Sequence, residues 1–342
     1  MSYYLKYKEN YWNRKVFNKK NDFDLRLLKH SDLTEEESKK IFKKYVELVC
    51  LEMSYYCNRA CNYCPVHTME RSDKNLEIPK DTFKYILSSL KEINYDGRIS
   101  LNLFNEPMAS KNIYSNIRNI SQELPAVILS LNSNGDYIKS TEDLKKLDES
   151  GLKEILITMH TPKNAKWNRD YSEKQMKKFA KKVNFPINES HLKNLKFSFF
   201  VGKLHVEVFC TDWGTKGNSR GGELANLAPE KNRINPCEKP IREFVISYDG
   251  TVQLCCHIYH NKTYDKTIAT IDPKSSQSIF KIYAGKALAQ SRKSLFDYSE
   301  KKGVCAKCNH YEDDIKQGSN FFFNVDDKEK REKILSKIKW EI

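Results

Sequence analysis

Short apolar runs alternate with amphipathic stretches through the middle of the chain. The apolar runs have the length of buried strands, and the stretches between them repeat apolar residues at helical spacing. The runs lie at 49–53, 99–104, 126–131, 154–159 and 195–201, and the helical stretches at 79–93, 113–123, 141–150 and 172–183. Strands that alternate with helices are typical of a parallel sheet covered by helices. The pattern therefore predicts an α/β fold for this region.

Two further elements follow from local patterns outside this region. Apolar and polar residues alternate at 244–246 and again at 252–254, on either side of Asp249-Gly250. A dipeptide of this kind between alternating runs is a strong β-hairpin signal. The segment 31–37 has the composition of a capped helix start and predicts a helix that runs to about residue 49. A helical pattern also covers residues 279–292.

The chain is basic, but its basic residues are dispersed. It has 342 residues, with 59 Lys and Arg against 45 Asp and Glu, and a formal net charge of +14. The lysines mix with acids, as at 39–44, 176–182 and 328–337, so we do not expect a nucleic acid as the partner. The sequence shows no signal peptide and no apolar stretch long enough for a membrane helix. We therefore expect a cytoplasmic protein without membrane contact.

Three cysteines stand close together just after the first apolar run. Cys57, Cys61 and Cys64 have the spacing C-x3-C-x2-C, with Tyr63 directly before the last of them. Three thiolates this close can hold three corners of a [4Fe-4S] cluster and leave one iron open to a small molecule. The alternative is a zinc site, which needs a fourth ligand, and the nearest candidate downstream is His67.

Four more cysteines form a second candidate set. The chain has 10 cysteines, and without an export signal this number indicates metal binding more than disulfides. Cys237 precedes the predicted hairpin, Cys255 ends its second strand, and Cys305 and Cys308 follow the last helical pattern. Four thiolates suit a fully ligated iron-sulfur cluster, and they are also the ligands of a structural zinc site. The adjacent Cys256 points to the opposite face of its strand.

The first cysteine motif, with Tyr63 in the aromatic position, closely resembles the signature of the radical SAM superfamily. In that family the open iron binds S-adenosylmethionine, and the reduced cluster cleaves it to give a 5′-deoxyadenosyl radical. The second set resembles the C-terminal module of the SPASM/twitch branch. Because residues 309–342 contain no further cysteine, we expect the shorter twitch form with one auxiliary [4Fe-4S] cluster.

The resemblance also implies a fold and a division of the chain. It implies a partial (β/α)6 TIM-like barrel, followed by a small auxiliary-cluster domain that contains the hairpin. We expect an N-terminal extension, the barrel, the auxiliary domain and a C-terminal helical tail at residues 1–45, 46–225, 226–320 and 321–342. Sites in such barrels lie at the carboxyl ends of the strands, which is where the first cysteine motif falls.

Polar residues after the later strands are the candidate cofactor ligands. The segment 104–107 stands where the family carries a Gly-Gly-Glu-Pro-like motif, and 132–134 resembles its Thr-Asn-Gly loop. A histidine follows the fourth strand, and an arginine lies in the polar, glycine-rich segment 211–222. Each of these features is also compatible with an ordinary turn or linker. The resemblance implies cofactor or substrate contacts for Asn105, Glu106, Asn132, Ser133, Asn134, His160 and Arg220.

The resemblance implies hydrogen abstraction from an unactivated C–H bond, which leads to oxidation or epimerisation of a carbohydrate- or aminocyclitol-like metabolite. An epimerase needs a hydrogen donor, and Cys210 and Cys256 are the candidates, although a buried cysteine is more often an apolar filler. We expect a protein such as flavodoxin or ferredoxin as the electron donor. Two alternatives stay open: a peptide-modifying maturase of the same chemistry, and a zinc protein that binds nucleic acid.

Overall fold

One mixed sheet of nine strands forms the centre of the protein. The computed structural model describes residues 24–29, 32–67, 71–163, 165–259, 267–310 and 336. In chain order the strands are β1 (Leu48–Leu51), β2 (Arg98–Ser100), β3 (Ile128–Ser133), β4 (Glu154–Thr158), β5 (Lys196–Val201), β6 (Leu204–Phe209), β7 (Glu243–Ile246), β8 (Thr251–Gln253) and β9 (Thr267–Thr270). Their order in space is β5-β6-β4-β3-β2-β1-β7-β8-β9.

The six neighbouring strands from β6 to β7 run parallel to one another. Parallel neighbours need a crossover connection, and helices supply it between the strands of the barrel. The helices are α1 (Glu35–Tyr45), α2 (Lys80–Glu92), α3 (Ile113–Glu123), α4 (Thr141–Ser150), α5 (Arg169–Lys182), α6 (Glu189–Asn194), α7 (Trp213–Lys216), α8 (Lys239–Arg242), α9 (Ile279–Ala284) and α10 (Lys286–Ser294). The α/β fold with a partial barrel is thereby confirmed.

Local sequence explains where several helices begin and end. Thr34 caps α1, and its hydroxyl and the Glu37 carboxylate form a reciprocal capping box. Gly151 ends α4 in the left-handed conformation, with a φ of 101°. Helix α1 ends at Tyr45, short of the predicted residue 49, because the chain enters β1 there. The pattern at 279–292 forms two helices, because Gly285 between them has an extended backbone.

The apolar run at 195–201 does not extend the parallel sheet as the pattern predicts. Strand β5 pairs antiparallel with β6 in a hairpin, and β6 is the strand that joins β4 in parallel. Gly202, with a φ of 59°, makes the tight turn between them. Strand β5 lies at the edge of the sheet with every second residue exposed, so its alternation reflects one solvated face.

The predicted hairpin around Gly250 is confirmed, and its first strand enlarges the barrel sheet. Strand β7 pairs antiparallel with β8 and parallel with β1. Beside this pairing, the Arg242 guanidinium donates to the Glu47 carboxylate at 2.8 Å. The sheet is thus continuous across the predicted boundary at 225, and the domain limits stay predictions. The predicted tail at 321–342, apart from residue 336, and most of the N-terminal extension lie outside the described residues.

The core of the described chain is a single large cluster of buried apolar side chains. Phe42 of α1 lies inside it and makes edge-on contacts with Phe244 and Phe280, each at 5.3 Å between ring centroids. The helix of the N-terminal extension therefore packs on elements that follow the barrel. In the part of the chain that the structure describes, every helix is too short or too polar to cross a membrane.

Candidate active site

A cavity of about 730 Å³ opens at the carboxyl ends of the parallel strands. The side chains of Cys57, Cys61 and Cys64 line one side of it, on the loop that follows β1. Residues at or after the ends of β2, β3, β4 and β6 line most of the remaining wall, together with His257, Asn309 and His310. The cavity therefore lies at the end of the barrel where such folds carry their active sites.

The loop with the three cysteines is shaped by its own backbone hydrogen bonds. The Cys64 amide donates to the Cys61 carbonyl, and the His67 amide donates to the Cys64 carbonyl, both at 2.9 Å. Burial raises the pKa of the Cys57 thiol to about 12. Thiols must lose their protons to bind iron, so cluster binding and ionisation are coupled at this loop. Three thiols, with no fourth among the described lining residues, fit a cluster that keeps one iron open.

A bidentate ion pair joins this loop to the loop after β3. Arg59 donates to both carboxylate oxygens of Asp136, each at 2.7 Å. The Asn58 side chain donates to the same carboxylate at 2.8 Å. The Asn134 side-chain amide donates to the Asn58 side-chain oxygen at 2.8 Å. Paired hydrogen bonds of this kind restrict orientation as well as distance. The position of the cysteine loop over the sheet is therefore set by residues of a second strand end.

The Glu106 carboxylate joins the loop after β2 to the loop after β3 by hydrogen bonds. Its side chain is 2% exposed and accepts hydrogen bonds from the Ser133 hydroxyl at 2.8 Å, the Asn134 amide at 2.7 Å and the Met108 amide at 3.0 Å. Burial raises the pKa of Glu106 to about 7, against the effect of these donors. The hydrogen bonds of Glu106 thus hold the loops after β2 and β3 together at the cavity wall.

Asn105 and Asn132 differ in the number of hydrogen bonds that their side chains make within the protein. Asn105 accepts from the Leu103 amide at 3.1 Å and donates to Ser54 at 3.2 Å. Asn132 is exposed, and its backbone amide donates to the Asn102 side chain at 2.9 Å. Both asparagines line the cavity, and the Asn132 side chain is the one more open to a ligand.

His160 contacts the aromatic residue of the cysteine motif. Its Nδ1 lies 2.9 Å from the Tyr63 hydroxyl, and the two rings stack with centroids 5.8 Å apart. Burial, reinforced by the charge of Arg59, lowers the pKa of His160 to about 4. The imidazole is therefore neutral near pH 7, and its tautomer decides which of the two groups donates in this hydrogen bond. His160 lies at the cavity, where the sequence predicted it.

Arg220 reaches the cavity from a strained loop. Its backbone has a φ of 54°, in the left-handed region, and two glycines with positive φ follow it. The guanidinium lies 5.3 Å from the Phe104 ring centroid and donates to the His257 Nδ1 at 3.3 Å. Its Nε atom is buried, with no hydrogen-bond partner among the described residues. The preceding Ser219 hydroxyl donates to the Lys307 carbonyl at 2.7 Å, which anchors this loop next to the second cysteine set.

The second set of cysteines comes together as predicted. Cys237, Cys255, Cys305 and Cys308 line one small cavity, which shares His257 and His310 with the larger one. Burial raises the pKa of the Cys237 and Cys255 thiols. Within the described ranges, no three His, Cys, Asp or Glu side chains are arranged to hold a single metal ion. A four-iron cluster is larger than an ion, and four thiols around one cavity fit it.

The structure places Cys256 away from the cavity that the other residues line. It follows Cys255 on the opposite face of the chain, where its thiol hydrogen-bonds with Cys50. The Lys239 amine donates to the Cys256 sulfur at 3.9 Å and to Glu243 at 2.5 Å. A hydrogen donor must face the substrate, so this position does not suit the predicted role.

Cys210 is also turned away from the cavity. Strand β6 ends at Phe209, which lines the cavity, and the next side chain points to the other face. The Cys210 thiol is 6% exposed, lies in the apolar core, and donates to the Ser172 carbonyl at 3.8 Å. The packing of α5 on the sheet explains its burial, and the structure does not bring it to the site.

Comparison with protein families identifies both cysteine regions. Residues 51–185 match the model of the radical SAM superfamily, and residues 237–309 match that of an iron-sulfur cluster-binding domain, SPASM. The chain belongs to the radical SAM superfamily. It is a radical SAM enzyme of the SPASM/twitch branch, and its cofactors are S-adenosyl-L-methionine, a [4Fe-4S] cluster and an auxiliary iron-sulfur cluster.

Similar proteins match about four fifths of this chain and nearly the full length of their own. This radical SAM enzyme is 23% identical to the S-adenosyl-L-methionine-dependent 2-deoxy-scyllo-inosamine dehydrogenase of Niallia circulans, over 78% of this chain and 94% of that protein. The crystal structure of BtrN in complex with AdoMet and 2-DOIA matches with a TM-score of 0.55 at 20% identity, and covers 78% of this chain and 93% of that one. BtrN in an open conformation matches with a TM-score of 0.51 at 18% identity, over 78% and 92% of the two chains.

Several residues of the radical SAM site were missed from the sequence. They are Asn58, Arg59, Asp136, Asn102, Phe209, Trp213, His257, Asn309 and His310. Some carry a signal in hindsight, since Arg59 lies inside the first cysteine motif, Asn309 directly follows Cys308, and His257 stands two positions after Cys255. Phe209 belongs to β6, a strand that the hydrophobic pattern did not predict, so it had no place in the expected site.

Proposed function

We propose that this radical SAM enzyme oxidises a secondary alcohol of a polyhydroxylated, carbohydrate-like metabolite to a ketone. The observation that carries the proposal is one cavity that is lined by the first cysteine set and by residues next to the second set. Cys57, Cys61 and Cys64 line one side, and His257, Asn309 and His310, which follow the auxiliary cysteines, line the other. The relative that acts as a dehydrogenase, and whose length is matched almost fully, supports an oxidation.

The cluster ligands follow from this arrangement. We assign the SAM-binding cluster to Cys57, Cys61 and Cys64, and the auxiliary cluster to Cys237, Cys255, Cys305 and Cys308. A cluster held by these three cysteines would keep one iron without a cysteine ligand, and would bind S-adenosyl-L-methionine at the cavity that the three cysteines line. A flavodoxin- or ferredoxin-type protein is the proposed donor of the initiating electron.

The polar residues of the wall have different roles in this proposal. Asn132 presents an open amide to the nucleoside or carboxylate groups of S-adenosyl-L-methionine. Glu106, Ser133 and Asn134 hold the loops on which Asn132 depends, as their mutual hydrogen bonds support. Asn105 ties the loop after β2 to Ser54. His160 orients Tyr63 beside the cluster cysteines. Arg220 offers its buried Nε to an anionic or hydroxyl group in the cavity.

The chemistry balances as a two-electron oxidation. When bound, the reduced cluster and S-adenosyl-L-methionine supply a 5′-deoxyadenosyl radical, which becomes 5′-deoxyadenosine on taking one hydrogen atom from the alcohol carbon. Ketone formation then requires the loss of one further electron and one proton from the substrate. The auxiliary cluster that the second cysteine set would hold is the proposed acceptor of that electron, and solvent would receive the proton.

The cavity favours oxidation over epimerisation. Epimerisation needs a thiol or similar group to return a hydrogen atom to the substrate carbon. Apart from Cys57, Cys61 and Cys64, no cysteine appears among the described residues that line the cavity. Cys210 and Cys256 both face other surroundings.

The charge of the wall bears on the choice of substrate. Among the described lining residues, the one carboxylate is Glu106, and three donors already engage it. Lys216 and Arg220 supply positive charge at the same wall. A substrate rich in hydroxyl groups therefore suits this wall better than one that depends on an ammonium group.

The test uses the full chain, purified and reconstituted without oxygen and reduced with dithionite. Candidate substrates are scyllo-inositol and 2-deoxy-scyllo-inosamine, each deuterated at the ring carbons. We expect 5′-deoxyadenosine that carries one deuterium, together with one ketone product per turnover, with more product from scyllo-inositol than from the amine, and no product from the Cys57→Ala variant. An inverted alcohol with solvent-derived hydrogen would contradict the oxidation and indicate an epimerase. Substrate-independent cleavage of S-adenosyl-L-methionine with both compounds would contradict the substrate class.

A further inference from the structure

Arg233 is buried among the auxiliary cysteines. Its side chain is 3% exposed, and one terminal nitrogen of its guanidinium donates to the Cys308 sulfur at 3.7 Å. The Nε atom donates to the Asn235 carbonyl at 2.8 Å, and the other terminal nitrogen donates to the Pro236 carbonyl. The guanidinium is thus fixed in one orientation, between the segment that leads to Cys237 and the turn that carries Cys308.

The backbone of Arg233 is tied to the same turn. Its amide donates to the Ala306 carbonyl at 2.7 Å, and its carbonyl accepts from the Lys301 amide at 2.8 Å. Burial lowers the pKa of Arg233, but the negative potential of Cys237, Cys308 and Cys305 more than reverses this effect. A permanent positive charge therefore lies within the electrostatic reach of three of the four thiols.

A fixed cation next to such a site acts on its redox equilibrium. A cluster with four thiolate ligands is anionic and gains one more negative charge on reduction. Charge and N–H···S hydrogen bonds at the ligands stabilise the reduced form more than the oxidised form, because the reduced form carries more charge. The effect is larger when the donor is buried, since water does not screen it.

We propose that Arg233 raises the reduction potential of the auxiliary cluster, so that this cluster accepts the second electron of the oxidised substrate. Arg233 acts through the cluster ligands and does not touch the substrate. The proposal rests on the proposed function, because an electron acceptor is needed only when the net reaction is an oxidation.

The other cation of this cavity is less suited to the task. Lys239 also lines the small cavity, but it forms an ion pair with Glu243 at 2.5 Å. The two opposite charges largely cancel at the distance of the cluster. The sulfur to which Lys239 donates is that of Cys256, at 3.9 Å, which is not one of the assigned ligands. Arg233 therefore makes the direct hydrogen bond to a ligand.

The test measures the midpoint potential of the auxiliary cluster alone. The full chain with Cys57→Ala, Cys61→Ala and Cys64→Ala is reconstituted, and reduction is followed by electron paramagnetic resonance at set potentials. In this background Arg233→Gln is expected to shift the reduction equilibrium at least tenfold toward the oxidised form, about 59 mV for one electron. Arg233→Lys keeps the charge and is expected to shift it less. Arg118→Gln, an exposed arginine on α3, serves as the matched control and should change nothing.

Iron and sulfide are quantified in every variant, and Arg233→Met provides a second neutral side chain. The proposal would be overturned if a neutral variant keeps a full cluster and its reduction equilibrium lies within twofold of the parent's. Loss of the cluster from both neutral variants, with a full cluster in Arg233→Lys, would make the residue structural and would also overturn it. The measurement uses no substrate, so the proposed oxidation and the tuning of the cluster can fail separately.

Discussion

Glu47 shows at the scale of one residue how the barrel and the following module are locked together. Its amide donates to the Arg242 carbonyl at 2.8 Å, and one carboxylate oxygen accepts from the Arg242 guanidinium at 2.8 Å. The other oxygen is buried, with no hydrogen-bond partner among the described residues. Burial raises the pKa of Glu47 to about 7, although Arg242 opposes the shift.

This shift predicts a loss of stability as the pH rises. The raised pKa means that the folded protein holds a proton on Glu47 that the unfolded protein has already released above about pH 4.5. The contribution is therefore full below pH 4.5 and is lost as the pH rises through 7. Glu47→Gln should flatten the fall in the free energy of unfolding between pH 5 and 8, by at most about 3 kcal/mol.

Urea unfolding at pH 5, 6, 7 and 8 measures this effect in the cluster-free protein. Glu149→Gln, on an exposed surface of α4, is the matched control and should keep the slope of the parent. Parallel slopes for the parent and Glu47→Gln would show that Glu47 keeps an ordinary pKa.

At the scale of elements, the loop that carries Arg220 packs directly on the loop of the auxiliary cysteines. Gly221 has a φ of 70°, and a Cβ built on it would lie 2.7 Å from the Val304 carbonyl oxygen. Real Cβ atoms do not approach a backbone oxygen so closely. Only glycine therefore allows the loop that carries Arg220 to meet the segment at Val304, directly before Cys305.

Gly221→Ala should separate these loops. We expect a loss of about 1–3 kcal/mol from the strained backbone conformation, and a lower iron content at the auxiliary site. Iron is measured in the Cys57→Ala, Cys61→Ala, Cys64→Ala background, so that only the auxiliary cluster contributes. Gly214→Ala is the matched control, because its φ is not positive and its nearest neighbour is a side-chain oxygen of Asp212 at 3.2 Å. Equal iron in the two variants would count against this account.

At the scale of the whole molecule, the barrel sheet is completed by a strand from the C-terminal part. The parallel sheet up to residue 225 ends at β1, and β7 covers that edge through the register Leu48↔Glu243 to Leu51↔Ile246. Phe42 adds contacts with Phe244 and Phe280 across the same boundary. The two parts share a sheet and a core, which argues for a single folding unit.

A fragment of residues 1–225 should therefore not fold stably. Removal of β7 leaves the edge of β1 open and exposes Phe42, and exposed edges and apolar surface promote aggregation. We expect aggregation in size-exclusion chromatography and no cooperative urea transition by circular dichroism. The full cluster-free chain should unfold in one transition. A soluble fragment with its own cooperative transition would show instead that the barrel is an independent domain.

The cofactor chemistry and the main elements could be predicted from the amino-acid sequence alone. The spacing of Cys57, Cys61 and Cys64 is local, and a cluster of thiols within eight positions needs no tertiary structure to be recognised. Helices α3 and α4 have the predicted bounds, since their periodicity and caps are properties of neighbouring residues. The hairpin around Gly250 was predictable for the same reason.

The direction of individual strands and the surroundings of side chains follow from tertiary contacts and could not be predicted from local patterns. The run at 195–201 reads as a strand, but its antiparallel pairing depends on β6 and the turn at Gly202. Cys210 and Cys256 look like candidate donors in the sequence, and the packing of α5 and the contact with Cys50 turn them away from the cavity. Arg233 belongs to no sequence motif that would have indicated a role. Its contact with Cys308 joins residues 75 positions apart, and contacts at that separation arise from the path of the folded chain, which local patterns do not encode.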